Sequence, residues 1–303
     1  MESRILIIHP GALGDVLQAV PALRGLRAAA PAGRLVFAGQ PRLGRLLAAL
    51  GVVDEARAFD GLGLEALFTD EPAPLALAAF LGGFTRVVSW FGSREPTYVA
   101  RLGALGADAI VARPVPDDDT PVWRHLIATL PASGLAERDA VAPVHPAARP
   151  PAAAAALVIH PGSGGAWKQW PAERFAEAIA AVATRHALPV VVHQGPADRA
   201  AVEALLARLD APVERLVEPE LPELAAALSL ARAYLGGDSG VSHLAAAVGA
   251  PSVILFPPAH LPLWAPWSPT ARPIAMTGGA DEVAGVVREL ERALSSASRR
   301  CGP

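Results

Sequence analysis

Of the 303 residues only one is a cysteine, Cys301, and only one is a lysine, Lys168. A lone thiol cannot build a disulfide framework, so the composition predicts a reducing, cytoplasmic setting. Long hydrophobic runs are missing as well. The longest apolar stretches, Ala152 to Ile159 and Leu244 to Ala250, fall short of the roughly 20 residues needed to cross a bilayer. No secretory leader is read either, because Met1 to Arg4 leads into four apolar residues before His9-Pro10-Gly11. An excess of one charge is also lacking: 26 basic residues stand against 29 acidic ones, for a net charge of −3, which argues against a nucleic-acid partner. With 52% hydrophobic and 18% charged residues, the chain is neither disordered nor a coiled coil. What remains is a globular protein about twice the usual domain size, so two domains are expected.

The charge that is present is unevenly chosen. Twenty-five of the 26 basic residues are arginine, so Lys168 stands where a compact point charge serves better than a planar guanidinium, or else is a chance survivor on the surface. The first fifty residues carry six arginines against Glu2 and Asp15. That balance suits an acidic small molecule or a phosphorylated lipid, or is a solvated face.

Along the chain, Arg4 to Ile8 reads as a strand, followed by a Gly-rich turn and a helix from Val16 to Ala30 that ends at Pro31. The same order recurs at Leu157 to Ile159, the loop His160 to Trp170, and a helix from Pro171 to about His186. Even the residues repeat, since His9-Pro10-Gly11 and His160-Pro161-Gly162 are 151 positions apart. Further strands are expected at 35–37, 86–90, 109–111, 189–193, 232–235 and 252–256, interleaved with helices. The alternation implies parallel sheets in two Rossmann-like domains, 1–145 and 157–303, joined by a Pro/Ala-rich linker at 146–156. The last helix, from Asp281 to about Ser296, presents Val283, Val286, Val287, Leu290 and Leu294 on one face.

Three loops follow strands at their carboxyl ends, where open α/β sheets bind ligands. In Gly11-Ala-Leu-Gly14-Asp15 the dinucleotide fingerprint is absent, and Asp15 reads either as a helix N-cap or as a general base. The loop His160 to Trp170, with Ser163 and Gly164, lacks the NTPase phosphate-loop pattern, but its glycines and Lys168 suit an anion better than an ordinary turn requires. The third loop, Gly236-Gly-Asp238-Ser239-Gly240-Val-Ser-His243, opens a helix whose first N–H groups suit a phosphate, with Asp238 as candidate cap. His243 sits one turn beyond Ser239, either looking into that site or buried as an ordinary helix residue. Asp117-Asp118-Asp119 reads as a solvated acidic run in preference to a metal-binding DxD.

The segments Gly14-Asp15-Val-Leu with Pro21, His160-Pro-Gly with Lys168-Gln-Trp170-Pro171, and Asp238-Ser-Gly-Val-Ser-His243 through Gly249-Ala-Pro251 together resemble the ADP-heptose:lipopolysaccharide heptosyltransferases of glycosyltransferase family 9. The resemblance implies a GT-B type α/β fold, two Rossmann-like domains with parallel sheets facing across a cleft. It further implies inverting transfer without a metal or other cofactor. Asp15, with Gly14, would serve the acceptor and act as base. Lys168, Ser163, Gly164, Asp238, Ser239, Gly240 and His243 would hold the nucleotide-sugar donor, ADP-heptose. The acceptor would be a saccharide or glycolipid, met in the cytoplasm with peripheral contact to the inner membrane surface. The chain departs from the family pattern at Phe256-Pro-Pro-Ala-His260-Leu-Pro-Leu-Trp264. Two rivals share the architecture. A nucleotide-sugar 2-epimerase would want more carboxylates than the loops offer, and a non-catalytic nucleotide-sugar binder would not need both Asp15 and Lys168.

Overall fold

The structure is a computed structural model that describes residues 3–106, 108–146 and 155–298. It divides into two compact units, Met1–Ala140 and Val141–Pro303. Most of the expected linker, 147–154, lies outside the described residues. The Val144 N–H donates to the Ala247 carbonyl at 2.8 Å, so the stretch before it already packs with the second unit. Among the described residues no helix is long and apolar enough to cross a membrane.

The first unit is a five-stranded parallel sheet of β1 (Arg4–Ile8), β2 (Arg34–Gly39), β3 (Glu55–Ala58), β4 (Arg86–Ser89) and β5 (Ala109–Val111), in the order β3-β2-β1-β4-β5. A parallel sheet is covered on both faces, which is why Ile5 to Ile8 form an unbroken apolar run instead of an alternating one. Leu6 and Ile8 pack with Val36, Ala38, Val87 and Leu102. The single helix expected over 16–30 is two, Leu13–Gln18 and Val20–Ala29, meeting at Ala19. Pro21 is the second residue of the latter, in a first turn where its missing N–H has no intrahelical partner to lose.

The second unit holds six parallel strands: β6 (Leu157–His160), β7 (Val190–Gln194), β8 (Glu214–Val217), β9 (Ala233–Gly237), β10 (Ser252–Phe256) and β11 (Ala271–Ala275). Their order is β11-β10-β9-β6-β7-β8. Counted from β6 this is the dinucleotide-fold order 3-2-1-4-5-6, whose direction reverses between β6 and β9. In the first unit the reversal falls between β1 and β4. The loops that follow β6 and β9 therefore flank the one crevice such a sheet offers a ligand. The strands expected from apolar runs are all present. The edge strands β3, β8 and β11 and the helix Pro96–Leu105 carried no such signal and are additions.

The last helix, Glu282–Ser298, buries Val283, Val286, Leu290 and Leu294 in the second core, as its pattern predicts. Its first residue anchors the loop after β6. The Trp170 indole N–H donates to Glu282 Oε2 at 2.7 Å, the Gly278 N–H donates to Oε1 at 3.0 Å, and Arg174 pairs with the same carboxylate. Burial pushes that carboxyl up, but the bonds from Trp170, Gly278, Thr277 and Arg174 outweigh it and hold the group below its ordinary value of 4.5. Trp170→Phe removes the indole donor together with part of the buried ring, and the lost bond to the carboxylate alone is expected to cost about 1.5–3 kcal/mol in urea unfolding at pH 7. A carboxyl depressed on folding stabilises above its unfolded pKa and loses that contribution as pH falls below it. The gap between parent and variant should therefore narrow below pH 4.5, and equal stability at pH 7 would remove the anchor from the account.

Candidate functional site

In the second unit the chain's sole lysine is drawn to the switch point. A single helical turn, Ala166–Lys168, carries it out of the loop after β6, and its Nζ lies 3.1 Å from Asp238 Oδ2, just past β9. Asp238 is not the helix cap. Ser239 takes that place, its hydroxyl oxygen accepting the Ser242 N–H at 3.3 Å, and the helix runs Gly240–Ala247. The reason is spatial: a cap bends its side chain back onto its own helix, whereas the Asp238 carboxylate, only 7% exposed, is turned to Lys168 and to His260, whose Nδ1 lies 2.9 Å from the same Oδ2. A buried carboxylate needs such partners, because leaving it unpaired costs several kcal/mol.

His260 was not singled out in the sequence. It lies in the segment after β10 that departs from the family pattern, and the turn there delivers it to Asp238. Its ring meets Trp167 edge to face at 4.9 Å, and Lys168 Nζ stands 5.3 Å from the Trp167 ring centre. Trp167 itself is 64% exposed. A cation, an open aromatic face and a helix start thus share one end of the sheet. That set suits an anion attached to a flat ring.

Of the two readings the sequence left open for His243, the structure shows the burial. It is buried against Phe256, with ring centres 6.4 Å apart, and burial lowers its pKa to about 4, Asp238 opposing and Lys168 adding to the effect. It is neutral at pH 7. Ser163 and Gly164 lie on the same loop as Lys168. The Ser163 hydroxyl donates within that loop, to the Gly165 carbonyl at 2.7 Å, and Gly164 is exposed. Ser242, given no role by the sequence, donates to the Gly237 carbonyl at 2.6 Å and pairs with the Tyr234 hydroxyl at 2.8 Å, which fixes the strand-to-helix turn.

In the first unit Gly14 and Asp15 fall inside the helix Leu13–Gln18. Ala12 is its N-cap residue and Asp15 occupies the third position, where its Oδ2 accepts the Ala12 N–H at 2.9 Å. Asp15 thus steadies the helix start without being the cap, which a residue three positions inside the helix cannot be. A side chain on Gly11 would press on both the His9 ring and the Asp15 carboxylate, so glycine is required for their approach. His9 is buried and meets Trp90 edge on at 5.7 Å, and its Nδ1 accepts the Gly11 N–H at 3.3 Å. Its Nε2 has no hydrogen-bond partner among the described residues. Asp117 to Asp119 are exposed, with Asp117 paired to Arg113 and Asp118 accepting the Thr120 N–H at 2.9 Å, which bears out a solvated run.

Four histidines are held neutral chiefly by burial: His9, His160 and His243 have pKa values lowered to about 4, and His193 to about 3. In the unfolded chain each takes up its proton near pH 6.5, so between that value and about 4 the unfolded state binds more protons and stability falls. Melting temperature is expected to drop steeply from pH 6.5 to 4.5. A flat profile across that window contradicts the burial of these rings.

With the geometry in place, the chain can be compared with known proteins. Residues 127–283 match the family described as glycosyltransferase family 9 (heptosyltransferase). Lipopolysaccharide heptosyltransferase 3 of Escherichia coli is 26% identical over 171 residues, 55% of this chain and 45% of that protein. The matched stretch is thus less than half of that relative's length. Among solved structures, the glycosyl transferase family 9 protein of Veillonella parvula DSM 2008 has a TM-score of 0.78 at 18% identity, covering 97% of both chains. Escherichia coli ADP-heptose lps heptosyltransferase II has a TM-score of 0.73 at 20% identity, covering 98% of this chain and 100% of that one. These likenesses establish the α/β fold with its two parallel sheets.

Proposed function

Because the chain belongs to glycosyltransferase family 9, we propose that it moves heptose from ADP-heptose to a hydroxyl of a lipopolysaccharide-core or related acceptor, with inversion. The observation that carries this reading is the Lys168–Asp238 pair beside a capped helix start at the switch point of the second sheet. In that reading the second unit binds the donor. Lys168 and the N–H groups at the helix start meet the diphosphate, Ser163 and Gly164 line its loop, and His243 supports the helix from behind. Asp238 serves by orienting Lys168 and His260.

Asp15 of the first unit, with Gly14 beside it, is the proposed base on the acceptor side. The acceptor oxygen bonds to the anomeric carbon while the bond from that carbon to the phosphate oxygen breaks. The hydroxyl proton passes to Asp15, and the electron pair leaves with the nucleoside diphosphate. Negative charge grows on that leaving group, and a fixed positive group there is worth about 3 kcal/mol. Lys168 takes the part that a metal ion plays at the diphosphate of other transferases, so added Mg²⁺ should not raise the rate. The acceptor is a saccharide or glycolipid, met in the cytoplasm with peripheral contact to the membrane face.

Calorimetry with ADP, UDP, GDP and TDP tests the donor, and selectivity for ADP is expected. Lys168→Ala should weaken diphosphate binding about tenfold or more, with nucleoside binding little changed, since only the phosphates carry the charge being met. Equal losses for both would make Lys168 structural.

Asp15→Asn keeps an oxygen for the Ala12 N–H but cannot take a proton. Near-normal melting, unchanged donor affinity and a rate lowered at least roughly 100-fold are expected. A variant that retains most of the transfer rate rules Asp15 out as base.

A further inference from the structure

We propose that His160, His193 and Asp198 form a site for one divalent transition-metal ion of the zinc class. The transfer reaction described above does not use these side chains, and they come from three separate segments of the second unit. His160 ends β6 and His193 lies in the adjacent strand β7, whose pairing with β6 runs Leu157 to Val190, Val158 to Val191 and Ile159 to Val192. The next step of that register sets His160 beside His193, and neighbours in a parallel pair share a face. Their Nδ1 atoms are 3.0 Å apart. Two nitrogens bound tetrahedrally at zinc's usual bond length are themselves about 3.3 Å apart, so the two rings already stand at the spacing that one ion asks of them.

Asp198 completes the set. It is the N-cap residue of the helix Arg199–Leu206, yet its side chain makes no capping bond. Instead the carboxylate turns back, its Oδ2 accepting the Gly195 N–H at 2.9 Å and lying 4.0 Å from His160 Nε2, the ring nitrogen other than the one that faces His193, so the His160 ring turns for one nitrogen to serve both partners. Space for it is made by two glycines: a β-carbon on Gly162 would overlap the carboxylate, and one on Gly195 would come within 2.6 Å of Oδ2. One ligand atom from each of the three residues lies within 4.8 Å of the others. Two imidazoles and one carboxylate are the donor set of a borderline cation such as zinc, nickel or cobalt, and not of magnesium or calcium, which prefer oxygen throughout. The site lies on the β7 flank of β6, away from the β9 flank where Lys168 meets Asp238. Its effect is to tie two strand ends and a helix start together, eight residues before Lys168.

The full chain, stripped of metal with a chelator, is to be titrated with Co²⁺ and then with Zn²⁺. One Co²⁺ per chain is expected, with visible absorption bleached by Zn²⁺, and Zn²⁺ should raise the melting temperature. His193→Leu and Asp198→Asn should each weaken binding by more than the roughly 10- to 100-fold that loss of an outer-shell partner costs. Asp198→Asn still accepts the Gly195 N–H, so it decides the question even where His193→Leu fails to fold. Absence of saturable binding overturns the proposal. So does binding of equal strength in parent and Asp198→Asn, which would place the ion elsewhere.

Discussion

One carboxylate oxygen, Oδ2 of Asp238, accepts both Lys168 Nζ and His260 Nδ1. Three segments of the second unit converge on it, those that follow β6, β9 and β10. Burial makes the pairing obligatory, because a carboxylate excluded from water keeps its charge only when cations or donors surround it. The position of the lysine, the turn that delivers His260 and the use of Ser239 as cap all follow from that requirement. If Asp238 bent back to cap its own helix, Lys168 would lose the partner that holds it at the helix start.

The repeated His-Pro-Gly shows how a short sequence echo reports a place in a topology. His9 follows β1 and His160 ends β6, the strands at the centre of the two sheets. Both rings are buried and kept neutral, and in both units the glycine two residues on gives room to a carboxylate, Asp15 in one and Asp198 in the other. The two carboxylates differ in what they face. Asp15 accepts an N–H of its own helix start, while Asp198 faces a pair of imidazoles. Similar local sequences have thus acquired different chemistry from what the next strand contributes.

What the sequence made legible was whatever hydrophobic burial dictates. Inner strands such as Ile5 to Ile8 and Val253 to Phe256 are apolar throughout because helices cover both faces, and the last helix shows its buried face at every turn. Lys168, Asp238 and Ser239 were legible from their place after strands. His260 was not, since a lone histidine among prolines has no periodicity to mark it, and it reaches the site only through the fold of the turn after β10. The split at Ala19 was hidden too, as Leu13 to Ala29 keeps helical spacing across the break. Caps were misassigned for two different reasons: the helix at Asp15 begins earlier than its spacing suggests, which puts Asp15 at the third position, while Asp238 is turned to Lys168 and His260.

The strands that escaped the apolar pattern are the ones at the margins. β3 consists of Glu55, Ala56, Arg57 and Ala58, β8 begins with Glu214 and Arg215, and β11 carries Arg272 and Pro273. The fourth margin, β5, is only three residues long. An open parallel sheet leaves a row of unpaired N–H and C=O groups along each edge, ready to pair with any other extended chain. Charges, a proline that cannot donate and an abbreviated strand all frustrate that pairing. The features that kept these strands unreadable therefore guard the protein against edge-to-edge aggregation. Replacing them with a regular β pattern would make the sequence easier to read and the protein harder to keep apart from its neighbours.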